Sequence, residues 1–377
     1  MRPAVKGWCP TAETPMVSGD GMILRLRPRL GRLKRWEILT VLELSEKFGN
    51  GMIDVTSRAN LQIRGLWNKD HQDILNALYS AKLIDPNQEA QPGRNLILAP
   101  GWTKGGLSEK LGYEFFEEMT NLPALPAKFG FSIDIEENAS LKDTSSDIRL
   151  ERLDKERLLI RADGAQAGRV VSVKKAITTM CELAQWFVDT EGHAAGRMAH
   201  HLKTATLPEE WTEYRQLRES NTPLSTGRHA IGEIVGVPFG QCSANDMRQL
   251  IIDSDAKAVR VTPWRSLLLE GVERLKTEGF VYAPERDVSH ISACSGAPAC
   301  KAASVETRKL AQHLSAKTKK SLHVSGCTKG CARPKASEIT VTGRNGYYDL
   351  ILNGAPWENP IKTALTQIQL TKEIERL

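Results

Sequence analysis

No stretch of this 377-residue chain stays apolar for the roughly 20 residues a helix needs to cross a bilayer, so a membrane-spanning helix is not expected. Aromatic residues are scarce, at 6%, and are not interleaved with the basic ones. Proteins that grip single-stranded nucleic acid stack bases on such rings, so no nucleic-acid partner is expected despite a net charge of +6. Cysteines number seven, and an odd count argues against a disulfide framework. The opening MRPAVKGWCPTAETP lacks the apolar core of a secretion signal, which makes the cytoplasm the expected address and thiolate chemistry the expected use of some cysteines. What is present is the composition of a globular protein, 41% hydrophobic and 25% charged, long enough for two or three domains. Its basic residues are bunched, as in RLRPRLGRLKR at 25–35, which favours an anionic partner.

The chain repeats itself. IDVTSRANLQIRGL (53–66) lies over VRVTPWRSLLLEGV (259–272) without a gap, matching Val55 and Thr56 to Val261 and Thr262, Leu61 to Leu267, Ile63 to Leu269 and Gly65 to Gly271. Each copy begins with the alternation of a strand and follows a helical pattern, 33–49 in one half and 243–255 in the other. Further on, KERLLIRADG with a helix over 173–189 is similar to NGYYDLILNG with a helix over 360–377. A solenoid repeats every 20 to 50 residues or so, so a period near 200 instead indicates a duplicated α+β unit, with a ligand cleft between the copies. The polar, turn-rich stretch 204–230 reads as the linker.

Four cysteines cluster as C-x5-C, Cys294 and Cys300, followed by C-x3-C, Cys327 and Cys331. Structural zinc prefers tighter knuckles, whereas a 4Fe-4S cluster tolerates wide spacing because its iron atoms are separated. The cluster is favoured and zinc stays open. Gly296, Gly326 and Gly330 let backbone approach such a group, and Lys301, Lys329, Arg333 and Lys335 offset its negative charge. Residues 304–317 read as a helix opening on a weak Ser304/Thr307 capping box, and 321–324 as a strand delivering Cys327. Cys9, Cys181 and Cys242 are expected to be packing residues.

This cysteine pattern in the second half of a duplicated chain resembles the sulfite and nitrite reductase family. The resemblance implies an α+β fold of duplicated halves about a pseudo-two-fold axis, each with a ferredoxin-like half-domain and an α+β domain of the siroheme and 4Fe-4S type. On this chain that gives a first half-domain over 1–70, a first α+β domain without a cluster over 71–203, the linker, a second half-domain over 231–282 and the cluster domain over 283–377. It implies that Cys331 bridges the cluster to a siroheme iron. TSRANLQ resembles the family's Thr-x-Arg-x-x-x-Gln strand, placing Arg58 and Gln62 at the tetrapyrrole pocket, while Arg94 in GRNLILAP and Lys128 in LPAKFGF resemble active-site cations. Sulfite-reducing relatives carry a second lysine two positions on, and here that residue is Gly130.

That departure, with GWCPTAETPMVSGDGMILRLRP at 7–28, resembles the branch of the family that oxygenates precorrin-3A in aerobic cobalamin biosynthesis. The implied reaction is C20 hydroxylation by O2 with closure of a γ-lactone, drawing electrons from an NADH-linked or ferredoxin-like donor. The second iron is left as either siroheme or a mononuclear iron. Arg25, Arg27, Arg58, Arg64, Arg260 and Arg265 are candidates for holding the substrate's carboxylates, since guanidinium groups make two-pronged charged hydrogen bonds to them. The alternative is a siroheme-dependent sulfite or nitrite reductase.

Overall fold

The structure is a computed structural model that describes residues 9–85, 95–215, 224–273, 275, 280 and 290–377. Among these the strands form four five-stranded sheets. The first runs Met16–Ser18, Gly21–Leu26, Leu61–Leu66, Met52–Val55 and Gln241–Ser243, all antiparallel. The third repeats it with Gly227–His229, Gly232–Gly236, Ser266–Glu270, Ala258–Val261 and Arg32–Lys34. Each of these sheets therefore takes its last strand from the opposite half.

The exchange has a local cause. After Leu26 the chain passes a turn in which Leu30 takes φ 52 ahead of Gly31 at φ 72, and after Gly236 the same turn recurs with Phe239 at φ 53 and Gly240 at φ 70. Left-handed backbone is unfavourable for bulky residues and needs surrounding packing to hold it. Leu30 is buried in the core of the neighbouring α+β domain, and Phe239 packs against the core of the other. The turns send Arg32–Lys34 and Gln241–Ser243 across, and each strand leads into a helix, Arg35–Phe48 or Ala244–Asp253. These helices bury Ile38, Val41 and Leu42, and Met247, Leu250 and Ile251, at helical spacing, and pack on one another. Ser243 caps the second by accepting from the Asp246 N–H. Side chains of both sheets then form one shared core.

The remaining sheets also match. Leu96–Leu98, Phe131–Asp134, Ile148–Arg152, Arg157–Ala162 and Arg169–Ser172 form one; Ile291–Ala293, Leu322–Ser325, Ser337–Arg344, Tyr347–Gly354 and Lys362–Leu365 form the other. Both begin with two parallel pairings and end with two antiparallel ones. Helices Leu107–Glu118 and Ala176–Asp189 cover the first, and Arg308–Ser315 and Gln367–Glu375 the second. The duplicated α+β plan expected from the repeat is the observed one.

Three expectations shift in detail. Helix His71–Ser80 gives Ile74, Leu75 and Leu78 to the shared core, so the first half-domain continues past residue 70. The stretch read as linker holds Trp211, 4% exposed in the core beneath the sheet that begins at Leu96–Leu98, and the strand Gly227–His229. The helix expected to open at Ser304 starts at Arg308, because the Thr307 hydroxyl donates to the Cys294 carbonyl at 2.6 Å and makes no cap.

Corresponding positions carry opposite charges in the two halves. Asp54 pairs with Arg64 at 2.8 Å, while Arg260 and Glu270, 206 residues further on, pair at 2.5 Å. Arg260, 4% exposed, also donates to the carbonyls of Pro100 at 2.8 Å and of Trp102, and lies 3.8 Å from the Trp102 ring centroid. Removing one partner of such a buried pair costs about 3–5 kcal/mol. Arg260→Ala is therefore expected to lower the unfolding free energy by about that much, read as a lower urea midpoint at unchanged m-value, whereas a cost under about 1 kcal/mol would mean that Arg260 does not tie the halves together.

Candidate functional site

Cys294 follows directly on Ile291–Ala293, and Gly326 and Cys327 follow Leu322–Ser325. Those strands are parallel neighbours, so both thiols emerge at the carboxyl ends of a parallel pair, where α/β sheets commonly bind ligands. The Cys294 N–H donates to the Val324 carbonyl at 3.3 Å, and the Gly326 N–H donates to the Cys294 sulfur at 3.2 Å. Small residues make the fit. A side chain on Gly326 would come 2.6 Å from the Ala303 Cβ, and one on Gly296, at φ +65, 2.6 Å from the Thr307 hydroxyl. Burial pushes the Cys331 thiol up, and Cys294, Cys327 and Cys300 add to the shift while Lys329 opposes it. The four cysteines thus share one electrostatic neighbourhood.

Among the described residues no three His, Cys, Asp or Glu come together as a single-ion site.

The first half-domain closes on this wall. The Gly19 N–H and the Ser18 hydroxyl both donate to the Ala299 carbonyl, at 3.1 and 2.6 Å, so the hairpin turn rests on the loop between Cys294 and Cys300. Behind it Arg64, 2% exposed, reaches Asp20 and Asp54 at 2.8 Å and Ala299 at 3.3 Å. Burial works against the Arg64 charge, but the two carboxylates outweigh it and hold its pKa above the usual arginine range. Arg25 donates to Gln62 Oε1 at 2.6 and 3.0 Å, and Gln62 Nε2 donates to Asp54 at 3.2 Å. Arg58 donates to the Lys128 carbonyl and to the Ser145 hydroxyl, both at 3.1 Å. Arg265, at φ 57, donates to the Ala332 carbonyl just past Cys331.

Four guanidinium groups here sit below their ordinary pKa chiefly because they are buried: Arg25, Arg58, Arg265 and Arg308. Arg197 depresses Arg58 further, and Arg308 depresses Arg265. Arg308, the first residue of its helix, makes a 3.5 Å contact with Asp54, and its buried Nε has no partner. Buried cations that lack enough carboxylates indicate a site completed by an anion.

Of the residues singled out in the sequence, Arg64 and Arg265 reach the cysteine-bearing loops through the Ala299 and Ala332 carbonyls, Arg25 and Gln62 connect to Arg64 through Asp54, and Arg58 meets the backbone of Lys128 in the first α+β domain. Arg27 lies beside Arg25 under the same segment and donates to the Pro10 carbonyl at 3.3 Å. Arg260 is taken up by Glu270 of its own half-domain and by Trp102 of the first α+β domain, and does not join them. Arg94 lies outside the described residues. Cys242 and Cys181 are packed, with burial pushing both thiols up, Cys181 to about 11. Cys9 instead touches the Arg25 guanidinium. Arg308, Arg197 and Asp54 were not anticipated, since their partners are distant in sequence; only the position of Arg308 at the head of a helix between the cysteine pairs hinted at its place.

His323, on the strand leading to Cys327, is fully buried and neither ring nitrogen has a hydrogen-bond partner. Burial lowers its pKa to about 4, with Arg333 and Arg265 contributing.

Comparisons with known proteins agree with this architecture. Residues 15–81 match the family described as Nitrite/Sulfite reductase ferredoxin-like half domain. The chain is 27% identical to a protein named precorrin-3B synthase from Sinorhizobium sp, over 93% of this chain and 83% of that one. It is 23% identical to a ferredoxin–nitrite reductase of Leptolyngbya laminosa, over 87% of this chain and 77% of the relative. The solved structure of Mycobacterium tuberculosis NirA protein matches with a TM-score of 0.63 at 18% identity, covering 94% of this chain and 80% of that one. The fold is that of the nitrite and sulfite reductases, and the resemblance read from the sequence stands.

Two measurements probe the site. Cys300→Ser should lose most of the bound iron, the acid-labile sulfide and the broad visible absorption, and Gly296→Ala should do nearly the same through its backbone conformation and the clash with Thr307. A fully loaded Gly296→Ala protein would show that this loop does not shape the site. For His323, the unfolded chain takes up a proton near pH 6.5 that the folded chain rejects until about pH 4. Stability should therefore fall as pH drops through that window, by about 3 kcal/mol from this group. Unfolding free energies from urea curves should fall between pH 7 and pH 4.5 by roughly 2–3 kcal/mol more in wild type than in His323→Gln; equal falls would place the imidazole in water.

Proposed function

We propose that this protein is an oxidoreductase acting on an acidic tetrapyrrole, namely a precorrin-3B synthase that oxygenates precorrin-3A at C20 and closes the γ-lactone. The observation that carries the reading is a set of guanidinium groups buried without a full complement of carboxylates, Arg265 and Arg308 beside Cys294 and Arg25 and Arg58 beside Cys9 in the adjoining first half. Similarity to the Sinorhizobium precorrin-3B synthase over nearly the whole chain supports that branch.

A 4Fe-4S cluster on Cys294, Cys300, Cys327 and Cys331, together with a second iron, siroheme or mononuclear, would supply electrons and activate O2. The protein's residues do the rest. Arg25, Arg58, Arg265 and Arg308 hold acetate and propionate groups of the macrocycle, each gaining the counter-charge its burial withholds. Gln62, fixed between Arg25 and Asp54, and Arg64, fixed by Asp20 and Asp54, keep that face of the pocket in position. Lys128 would add to the same anion-binding surroundings, and Cys331 would be one of the four thiolates holding the cluster. Gly130, in place of a second lysine, leaves room for a large substrate at the cost of a donor for a small oxyanion.

The second reading, a nitrite or sulfite reductase, is favoured by the similarity to ferredoxin–nitrite reductases. One comparison separates the two. Under 18O2, with precorrin-3A and a reductant, the product should gain a single 18O atom. Rapid anaerobic consumption of nitrite or sulfite with reduced viologen, and no label in the tetrapyrrole, would establish the reductase instead.

A further inference from the structure

The glycine at 130 raises the question of what faces the ligand there. Its N–H donates to Asp147 Oδ2 at 2.9 Å, and its carbonyl accepts from the N–H groups of Asp147 at 2.6 Å and Ile148 at 3.2 Å. A Cβ on it would look toward the carbonyls of Asn95 at 3.2 Å and Ser145 at 3.7 Å. The surroundings of position 130 are therefore built by 145–148, and a third segment is fastened to the same residues. Arg197, just before the short helix Met198–His201, donates from Nε to both Asp147 oxygens at 2.9 Å and from Nη2 to the Ser145 hydroxyl at 3.2 Å. The Met198 N–H completes the carboxylate at 2.8 Å.

That same Ser145 hydroxyl accepts Nη2 of Arg58 at 3.1 Å. Two guanidinium groups from remote parts of the chain thus meet on one neutral oxygen. Asp147, 0% exposed, offsets the charge of Arg197. Among the described residues Arg58 hydrogen-bonds to a carbonyl and a hydroxyl, and the carboxylate near it, Asp147, is bonded to Arg197 and acts on Arg58 only through space. Like charges brought together under burial are unfavourable unless an anion lies between them, and a carboxylate, with two oxygens, matches two adjacent guanidinium edges.

We propose that Arg58 and Arg197 form a clamp for one carboxylate of the bound macrocycle, Arg197 supplying from the 192–201 segment the cation that position 130 lacks. This rests on the tetrapyrrole reading above. Asp147 is a positioning residue: it aims Arg197 and anchors the 128–130 loop in the same contact.

The probe is uroporphyrin I, an eight-carboxylate tetrapyrrole, titrated into the full-length protein by fluorescence quenching at several salt concentrations. Arg197→Met should weaken binding by roughly ten- to a hundredfold, the usual range for one charged hydrogen-bonding contact, and flatten the salt dependence. Arg197→Lys should recover part of it, since the charge returns without the fork. Because Arg197→Met strands Asp147, the double variant Arg197→Met/Asp147→Asn is measured alongside, with thermal melts to verify folding. Folded variants that bind uroporphyrin I as tightly as wild type overturn the clamp but leave the tetrapyrrole reading intact. Failure of wild type to bind it overturns both. Nitrite binding that depends on Arg197, with uroporphyrin binding that does not, assigns the pair to a small oxyanion and also overturns the proposal.

Discussion

The cleft depends on one carboxylate. Asp54, 6% exposed, accepts hydrogen bonds from Arg64 at 2.8 Å, Gln241 at 2.7 Å, Gln62 at 3.2 Å and Arg308 at 3.5 Å. Its donors come from the first half-domain's own sheet, from the strand lent by the second half, and from the helix between the two cysteine pairs. A donor that turned away would leave buried charge without a partner, so all four directions are fixed together. Arg25, held through Gln62, inherits its orientation from the same point. The pocket face and the cysteine wall are in this sense one assembly.

The related place in the other half is occupied differently. The first parallel strand of the cluster domain is followed directly by Cys294, that of its counterpart by Ala99, and the loop beyond Ala99 receives Arg260 and offers Trp102 to stack on it. One copy keeps guanidinium groups short of carboxylates around its cysteines. The other satisfies its arginine internally with Glu270 and two carbonyls. The unsatisfied side is the one on which the proposed function rests, since a bound anion would gain binding energy there.

How much of this could be read beforehand follows from distance along the chain. The helices over 35–48 and 244–253 and the strands around 61–66 and 266–270 announce themselves by periodicity, and the repeat fixed their equivalence. The cysteines announced a shared site because their spacing is local. The exchanged strands, Arg32–Lys34 and Gln241–Ser243, are three residues long and too short to carry a pattern. Arg197 meets Ser145 and Arg58 through tertiary packing alone, and nothing around GRMAHH marks it. Arg260 had the same appearance as Arg64 in sequence and both are held by carboxylates; what separates them is that Arg64 reaches the Ala299 carbonyl of the cysteine loop whereas Arg260 reaches the carbonyls of Pro100 and Trp102. Thr307 illustrates the reverse case, a legible capping residue diverted to the Cys294 carbonyl.

The lent strands have a consequence for ancestry. A single copy of this half would carry a sheet short of one strand and a strand short of a sheet, defects that two such copies repair in each other about a two-fold axis, as an isologous homodimer. In that ancestor both mouths were necessarily identical. Aspartate at one and arginine at the other, as at 54 and 260, became possible only once a peptide bond joined the protomers and let each be edited alone.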